Sequence, residues 1–152
     1  MLLLILALTG LPFTVQADEL PARQGLRALR APVAAIVKEA AKGEASDMAE
    51  MTKAYKEAGA AWQQVTAQAL DLDQYGIPAD RQAEVWREVR MMGMLMGYMD
   101  EATKRGNRVL MLQSANLLMP TYEKLSGFLD SIRAPVSPGL QFPAPPKEMG
   151  GK

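Results

Sequence analysis

Residues 85–99, VWREVRMMGMLMGYM, are the stretch that decides the fold. Apolar residues recur through it at alternating spacings of four and three, which places them on one face of an α-helix. These positions are Val85, Val89, Met92, Met96 and Met99. Five of the chain's eleven methionines lie in this stretch. It is therefore either the soft core of a helical bundle or a source of thioether ligands for a metal ion.

Three further segments repeat this spacing and predict three more helices. Together with the helix that contains the methionine stretch, the predicted helices are 21–42, 46–70, 78–105 and 107–132. The predicted apolar seams of the first, second and fourth helices are Leu26, Leu29, Val33, Ile36 and Ala40; Met48, Met51, Tyr55, Ala58, Trp62, Val65 and Ala69; and Met111, Ala115, Leu118, Tyr122, Leu125, Leu129 and Ile132. No segment alternates like a strand. The pattern predicts an all-α, antiparallel up-down-up-down four-helix bundle.

Prolines and glycines predict where these helices bend or end. Pro32 lies inside the first helix and should kink it, because its ring removes one hydrogen bond and clashes with the preceding turn. Pro120 predicts a bend, or a break into two pieces near Leu117. Gly106 should end the third helix. Residues 71–77, DLDQYGI, are predicted to form a loop.

The two ends of the chain differ in composition from the predicted bundle. Residues 2–8 are an unbroken apolar run, and Val15-Gln16-Ala17 fits a signal-peptidase site, although no basic residue precedes Arg23. We expect a signal peptide at 1–17, export to the periplasm, and a bundle at 18–133. Residues 134–152 hold five of the ten prolines and predict a flexible or extended tail. A retained anchor is the alternative, but the run is shorter than the roughly 20 apolar residues that span a bilayer.

Charge and missing residue types exclude several functions. Seventeen basic and seventeen acidic residues give a net charge of zero, which argues against a nucleic-acid-binding protein. The chain has no cysteine and no histidine. Disulfides, thiolate or imidazole metal ligands, Ser-His-Asp triads and thiol nucleophiles are therefore excluded. No catalytic constellation can be identified, and we do not expect an enzyme.

Several short features resemble the cytochrome c′ and cytochrome c-556 family of exported four-helix bundles. They are Arg23-Gln24-Gly25, Pro32 within the first helix, Lys42-Gly43-Glu44, Glu84-Val85-Trp86 and Gly106. The resemblance covers about residues 23–132 and implies the bundle scaffold, the compartment and a tendency to dimerise. That family attaches haem through a Cys-x-x-Cys-His motif, which this chain lacks. The resemblance therefore implies a scaffold without covalent haem.

Methionine supplies one candidate metal site. Thioethers select Cu(I) without deprotonation, so Met92, Met96 and Met99, together with Met48 and Met51, could hold Cu(I) or Ag(I). The competing interpretation is that methionines on a seam fill the core. Met91 and Met94 fall off the seam and have no such explanation. Haem bound non-covalently by methionine is not expected, because haem iron normally takes an imidazole, thiolate or phenolate ligand.

Other residues have simpler interpretations. Glu84 and Glu88 lie one turn apart beside Arg87 and Arg90, which predicts a solvated, ion-paired face rather than a carboxylate metal site. Trp62 and Trp86 are predicted core anchors. Tyr122 is predicted to be buried with its hydroxyl bonded, rather than to line a small pocket. Gly93 and Gly97, four residues apart, allow close approach of a neighbouring helix, a ligand or a second subunit, or they only soften the helix, at up to about 1 kcal/mol each relative to alanine.

The leading expectation is an exported, cytochrome c′-like bundle that lacks haem and acts as a binding or accessory module, by self-association or with another periplasmic protein. The alternatives are a Cu(I) or Ag(I) carrier and an electron-transfer protein with non-covalent haem. A copper carrier should bind Cu(I) at a defined stoichiometry, and Met96→Leu should weaken binding without loss of helicity. A spectrum and metal analysis of the native protein separate these options, because haem gives a Soret band.

Overall fold

A computed structural model describes residues 20–130. Their regular secondary structure is all helical, with no strand. The four α-helices are α1 (Pro21–Ala40), α2 (Met48–Thr66), α3 (Ala79–Arg105) and α4 (Arg108–Leu129). A single 3-10 turn, Gly43–Ala45, joins α1 to α2. The predicted signal peptide, the Pro-rich tail and Ile132 lie outside the described residues. Among the helices described, none is both long and apolar enough to cross a membrane.

The helix ends follow the local sequence. The side chain of Asp47 caps α2 by accepting hydrogen bonds from the Ala49 and Glu50 amides. Asn107 caps α4 by accepting from the Leu110 amide at 3.1 Å. α3 ends where predicted, at Gly106, whose φ of 60° is the left-handed conformation that glycine adopts without strain. α2 ends four residues earlier than predicted, at Thr66, so Ala69 lies outside the helix and is exposed.

Neither internal proline breaks its helix. α4 runs continuously through Pro120, so the predicted break into two pieces near Leu117 is wrong. Asn116 is the residue whose carbonyl loses its helical partner, and it is exposed, as is Pro120. Water can therefore satisfy that carbonyl and remove much of the cost. α1 is likewise continuous through Pro32, and Ala28, whose carbonyl is freed there, is exposed.

The contacts between helices join the start of one to the end of another. Near the start of α1, Gly25 lies against Val65 at the end of α2. The Arg23 Nε donates to the Leu129 carbonyl at the end of α4, at 2.7 Å. α3 packs on α4, whereas α2 and α3 have the least mutual contact of the neighbouring helices. One side of the molecule, between α2 and α3, is therefore open.

The predicted seams form one continuous core. All five α1 positions and all six described α4 positions are buried. In α2 and α3 most seam residues are buried too, while Met48, Tyr55 and Val89 are partly buried and pack against the core. The predictions that both tryptophans anchor the core have different outcomes. Trp62 is buried as expected, but Trp86 is 37% exposed, because it directly follows the seam residue Val85 and so lies off the buried side of α3.

The loop at 71–77 contributes to the core, which its sequence did not predict. Leu72, Tyr75 and Ile77 are all buried. The Tyr75 hydroxyl accepts a hydrogen bond from the Ala22 amide at 3.2 Å, and the Arg23 guanidinium lies 5.6 Å from the centroid of the Tyr75 ring. The loop therefore covers the start of α1.

Candidate functional site

The solvent side of α3 carries most of the large apolar side chains that the described part of the chain exposes. Of six such residues, four belong to α3. Met94 and Tyr98 are each 49% exposed, and Met91 and Trp86 are just above one third. Single exposed apolar residues are common, but a contiguous group marks an interaction site. The grouping on one helix is therefore the main functional signal.

Helical geometry places these residues together. At 100° per residue, seven of the residues between positions 87 and 101 lie within about 60° of the direction of Met94, opposite the buried seam. We call them the α3 outer face: Arg87, Arg90, Met91, Met94, Gly97, Tyr98 and Glu101. This face is apolar at its centre and charged towards both ends, and it is convex.

Residues of α4 extend this surface sideways. The Lys124 ammonium lies 4.0 Å from the Glu88 carboxylate, and the Arg81 guanidinium lies 4.8 Å from the centroid of the Phe128 ring. These two pairs set an antiparallel register that places Leu117 of α4 level with the centre of the outer face. Leu117 is 56% exposed. It therefore widens the apolar centre of the surface.

The charges of the outer face are arranged asymmetrically along the helix. Arg87 and Arg90 occupy its N-terminal half, and Glu101 lies in its C-terminal half, where Arg105 forms an ion pair with it. Arg87 is shared between Glu84, at 3.9 Å, and Glu88, at 3.3 Å. Within residues 20–130, Arg90 makes no ion pair and no hydrogen bond, so its guanidinium is available.

Glu88 differs from the solvated residue that the sequence predicted. It is only 5% exposed, because α4 packs over it. Arg87 of α3 and Lys124 of α4 approach the same carboxylate oxygen, at 3.3 and 4.0 Å. Two partners for one buried charge offset the cost of its desolvation. Glu88 thus joins α3 to α4, and among the described residues no three acidic, histidine or cysteine side chains form a group that could hold a metal.

The predicted methionine ligands lie in the interior. Met51, Met92 and Met99 have no exposed surface, Met96 is 6% exposed, and all belong to the same hydrophobic core. Met48 is partly buried and lies on the rim, between α2 and the end of α3. These positions suit core packing, since methionine fills irregular gaps. The Cu(I) site stays a prediction.

The open side between α2 and α3 is a shallow groove of about 570 Å³. Met48, Thr52, Lys53 and Lys56 line it from α2, and Thr103 from α3. The Thr103 hydroxyl is buried and has no hydrogen-bond partner among the described residues. The lining mixes lysines with apolar atoms and brings no set of polar groups to one point, so it indicates no particular ligand.

An ionisable cluster lies farther along this groove. The Lys104 ammonium, 2.5 Å from the Asp100 carboxylate, donates a hydrogen bond that lowers the pKa of Asp100 and raises that of Lys104. Burial, followed by the negative charge of Asp100, raises the pKa of Tyr55. The cluster links α2 to α3 electrostatically. Its carboxylate is held ionised and its phenol neutral, which is not an arrangement for acid–base catalysis near neutral pH.

Gly93 and Gly97 have open space around them. A Cβ built on either glycine would meet no atom within 4 Å. Close approach of a neighbouring helix of the same chain, one of the three predicted roles, is therefore wrong for the described part of the chain. A ligand or a second subunit stays a prediction, beside the simpler interpretation that the two glycines only soften the helix.

The sequence contained part of the signal for this surface. Met91 and Met94 lie off the seam in the sequence, but that pattern suggests metal ligands rather than contact residues. It does not identify Tyr98 or Leu117 as surface residues. The helical period places Tyr98 with Met94, whereas Leu117 joins them only through the packing of α4 on α3.

Comparison of the chain with protein-family models, with curated proteins and with solved structures found no match. The resemblance to cytochrome c′ rests on the sequence features given above and stays a prediction.

Proposed function

We propose that the protein is a binding module that recognises a protein chain through the α3 outer face. The observation that carries this proposal is the exposure of Met91, Met94 and Tyr98. Their three-four spacing places them on one side of α3, and the α3–α4 register places the exposed Leu117 level with them. Each Å² of apolar surface that a partner covers contributes about 25 cal/mol of favourable free energy, which is missing while these side chains are in water. Methionine, aromatic residues and arginine are also the residue types enriched in protein interfaces.

The shape of the surface supports a macromolecular partner. Small-molecule sites are concave and surround most of their ligand. The outer face is the convex side of a helix about 40 Å long, which a small molecule could touch on one side only. A partner helix or another folded surface can cover several turns of it at once. No cofactor is needed for this role.

We also infer the scaffold and the location of this module. The contacts of Gly25 with Val65, of Arg23 with Leu129 and of Glu88 with Lys124 support an up-down-up-down bundle, as in the cytochrome c′ family that the sequence resembles. The apolar run at 2–8 and the Val15-Gln16-Ala17 site support export to the periplasm. We propose a haem-free accessory protein of that compartment, with the Pro-rich residues 134–152 as its tail.

Site-specific photo-crosslinking in the native cell tests the proposed surface. A photoreactive amino acid replaces Met94 or Leu117, within the surface, or Val109, an equally apolar residue that is 64% exposed but lies near the start of α4. We expect mass spectrometry to identify the same crosslinked protein from positions 94 and 117, and not from 109. Equal crosslinking from all three positions, or none from 94 and 117, would contradict the proposal.

A further inference from the structure

We infer that the α3 outer face carries an oxidation switch, in which a peroxide converts Met91 and Met94 to methionine sulfoxide and the partner is released. The site is a pair of thioether sulfurs three residues apart, on the same side of α3. The modification follows from the fold alone. Its effect on binding rests on the proposed function.

The fold sorts the methionines by exposure. Nine of the eleven lie within residues 20–130. Five of these nine are at most 6% exposed and belong to the hydrophobic core: Met51, Met92, Met96, Met99 and Met111. Met48 and Met119 are partly buried and pack against that core. Among the nine, only Met91, at 36%, and Met94, at 49%, are exposed. Because oxidation of a thioether follows its access to solvent, the fold directs a peroxide to these two.

The reaction needs an oxidant but no catalytic residue. The thioether sulfur attacks one oxygen of hydrogen peroxide, so that a sulfur–oxygen bond forms as the oxygen–oxygen bond breaks. The sulfur loses two electrons, and the proton of the transferred oxygen passes to the departing hydroxide, which leaves as water. Two methionine sulfoxide reductases, one for each epimer, reverse the step. They use a dithiol, which becomes a disulfide while the oxygen leaves as water.

Oxidation changes the polarity at the centre of the outer face. A sulfoxide is polar, and its oxygen accepts hydrogen bonds, whereas the thioether is apolar. A partner that covers Met91 and Met94 would bury two such oxygens against groups suited to apolar contact. A buried polar group without a hydrogen-bond partner disfavours the state that buries it. The oxidised surface therefore favours the free chain over the complex.

The fold can accept these two sulfoxides. In the free chain the side chains of Met91 and Met94 are in contact with water, so the added oxygens stay hydrated. Met92 directly follows Met91 but has no exposed surface, and an oxygen there would lie in the core. We therefore expect oxidation at 91 and 94 to alter the surface without unfolding the bundle, which is what a reversible switch requires.

Tandem mass spectrometry of the full chain, after graded peroxide treatment, tests the site. Five methionines share the tryptic peptide 91–104, so fragment ions must locate each oxygen. We expect positions 91 and 94 to react at least about tenfold faster than the five buried methionines, which react only when the fold opens locally. Far-UV circular dichroism should show unchanged helicity. Equal rates at buried positions, faster reaction at Met48 or Met119, or loss of helicity on oxidation of 91 and 94 would overturn the inference.

Photo-crosslinking tests the effect on binding. The purified chain, with a photoreactive amino acid at position 117, is oxidised and freed of peroxide with catalase before irradiation in an extract of native cells. The methionines of the partner thus stay reduced. We expect the yield of the crosslinked partner to fall at least about tenfold and to recover after treatment with both reductases and dithiothreitol. An unchanged yield, or a loss that the reductases do not reverse, would overturn the switch.

Two variants provide matched controls. Met91→Leu combined with Met94→Leu removes both sulfurs, so the crosslinking yield of this variant, whatever its level before peroxide, should be the same afterwards. Met119→Leu removes a partly buried sulfur on α4 and should keep the sensitivity of wild type to peroxide. Sensitivity that persists in the double variant would place the switch at another residue and contradict the inference.

The two proposals fail in different ways. If the untreated chain gives no crosslink from position 117, the proposed function is wrong and so is the effect of oxidation on binding, while mass spectrometry still decides the modification site. If untreated and oxidised chains give the same crosslink, the surface binds a partner but oxidation does not control it.

Discussion

Gly25 sets the distance between α1 and α2. A Cβ at this position would lie 2.6 Å from Val65 Cγ2 and 2.8 Å from the Val65 amide nitrogen. Valine is stiff at χ1, and the amide is backbone, so neither atom can move without displacing the helix. The sequence shows a glycine in the first turns of a helix, where its intrinsic propensity is poor. Only the packing of α2 gives the reason for it.

This contact gives a prediction with a matched control. Gly25→Ala should lower the free energy of unfolding by about 1–3 kcal/mol, because the two helices must separate to admit the methyl group. Gly59→Ala, in α2, meets no atom within 4 Å and should raise it by about 0.4–1 kcal/mol through the entropy of the unfolded chain. Urea unfolding followed by circular dichroism measures both. Equal effects of the two substitutions would show that Gly25 does not limit the helix spacing.

Buried methionines show the limit of a residue-by-residue interpretation. Met92 and Met94 are two residues apart, yet the first has no exposed surface and the second is half exposed. The same side chain therefore packs the core in one case and forms part of a candidate interface in the other. Helical phase, rather than residue type, separates these roles.

Among the elements, the loop at 71–77 has a specific structural role. α1 begins with Leu20 and Pro21, and no side chain caps it. The Ala22 amide is one of the groups that a helix start leaves without a partner. The hydroxyl of Tyr75, 53 residues away in sequence, accepts its hydrogen bond in a buried position. A distant loop thus replaces a local cap.

This capping predicts different costs for two tyrosines. Tyr75→Phe leaves the buried Ala22 amide without an acceptor and should lower the free energy of unfolding by about 1–3 kcal/mol. Tyr122→Phe removes a bond of 3.1 Å to the Leu26 carbonyl, which keeps its helical partner, and should cost about 1 kcal/mol or less. Urea unfolding compares the two variants. A larger loss for Tyr122→Phe would contradict the capping role of Tyr75.

α3 shows why one helix can serve two surfaces. Its buried residues pack towards the core, its outer face is apolar at the centre, and Thr103 near its end lines the open groove. An amphipathic surface helix normally has one apolar face and one polar face. The second apolar area on α3 is what distinguishes it from α1, whose solvent side exposes no large apolar residue in the described range.

At the scale of the whole molecule, ion pairs determine how the free energy of unfolding changes with pH. The Lys42 ammonium, 2.6 Å from Glu39, lowers the pKa of that carboxylate, and Lys104 does the same for Asp100. Folded-state pKa values below the unfolded ones stabilise the fold above the ordinary carboxylate range and lose this contribution as the pH falls. The raised pKa values of Tyr55 and Lys104 act in the opposite direction.

Stability should therefore be nearly constant from about pH 5 to 9, because no histidine titrates there. It should fall in acid, as Glu39 and Asp100 are protonated, and again above about pH 10, as Tyr55 and Lys104 lose their protons. Urea midpoints between pH 3 and 11 measure the profile. Tyr55→Phe should reduce the alkaline fall and keep the acid one. A marked change between pH 6 and 8 would contradict this assignment.

The sequence by itself determined the helical class, the approximate bounds of the four helices and nearly all of the core, because a period of 3.6 residues reports directly which side of a helix is apolar. It also excluded covalent haem, since the chain has neither cysteine nor histidine. Helix periodicity could not report what lies opposite each face. Only the tertiary structure decided that Glu88 is buried, that Tyr75 caps α1 and that Leu117 of α4 lies level with the middle of α3. Each of these depends on which helices pack together and in what register, and that is a property of contacts between distant residues.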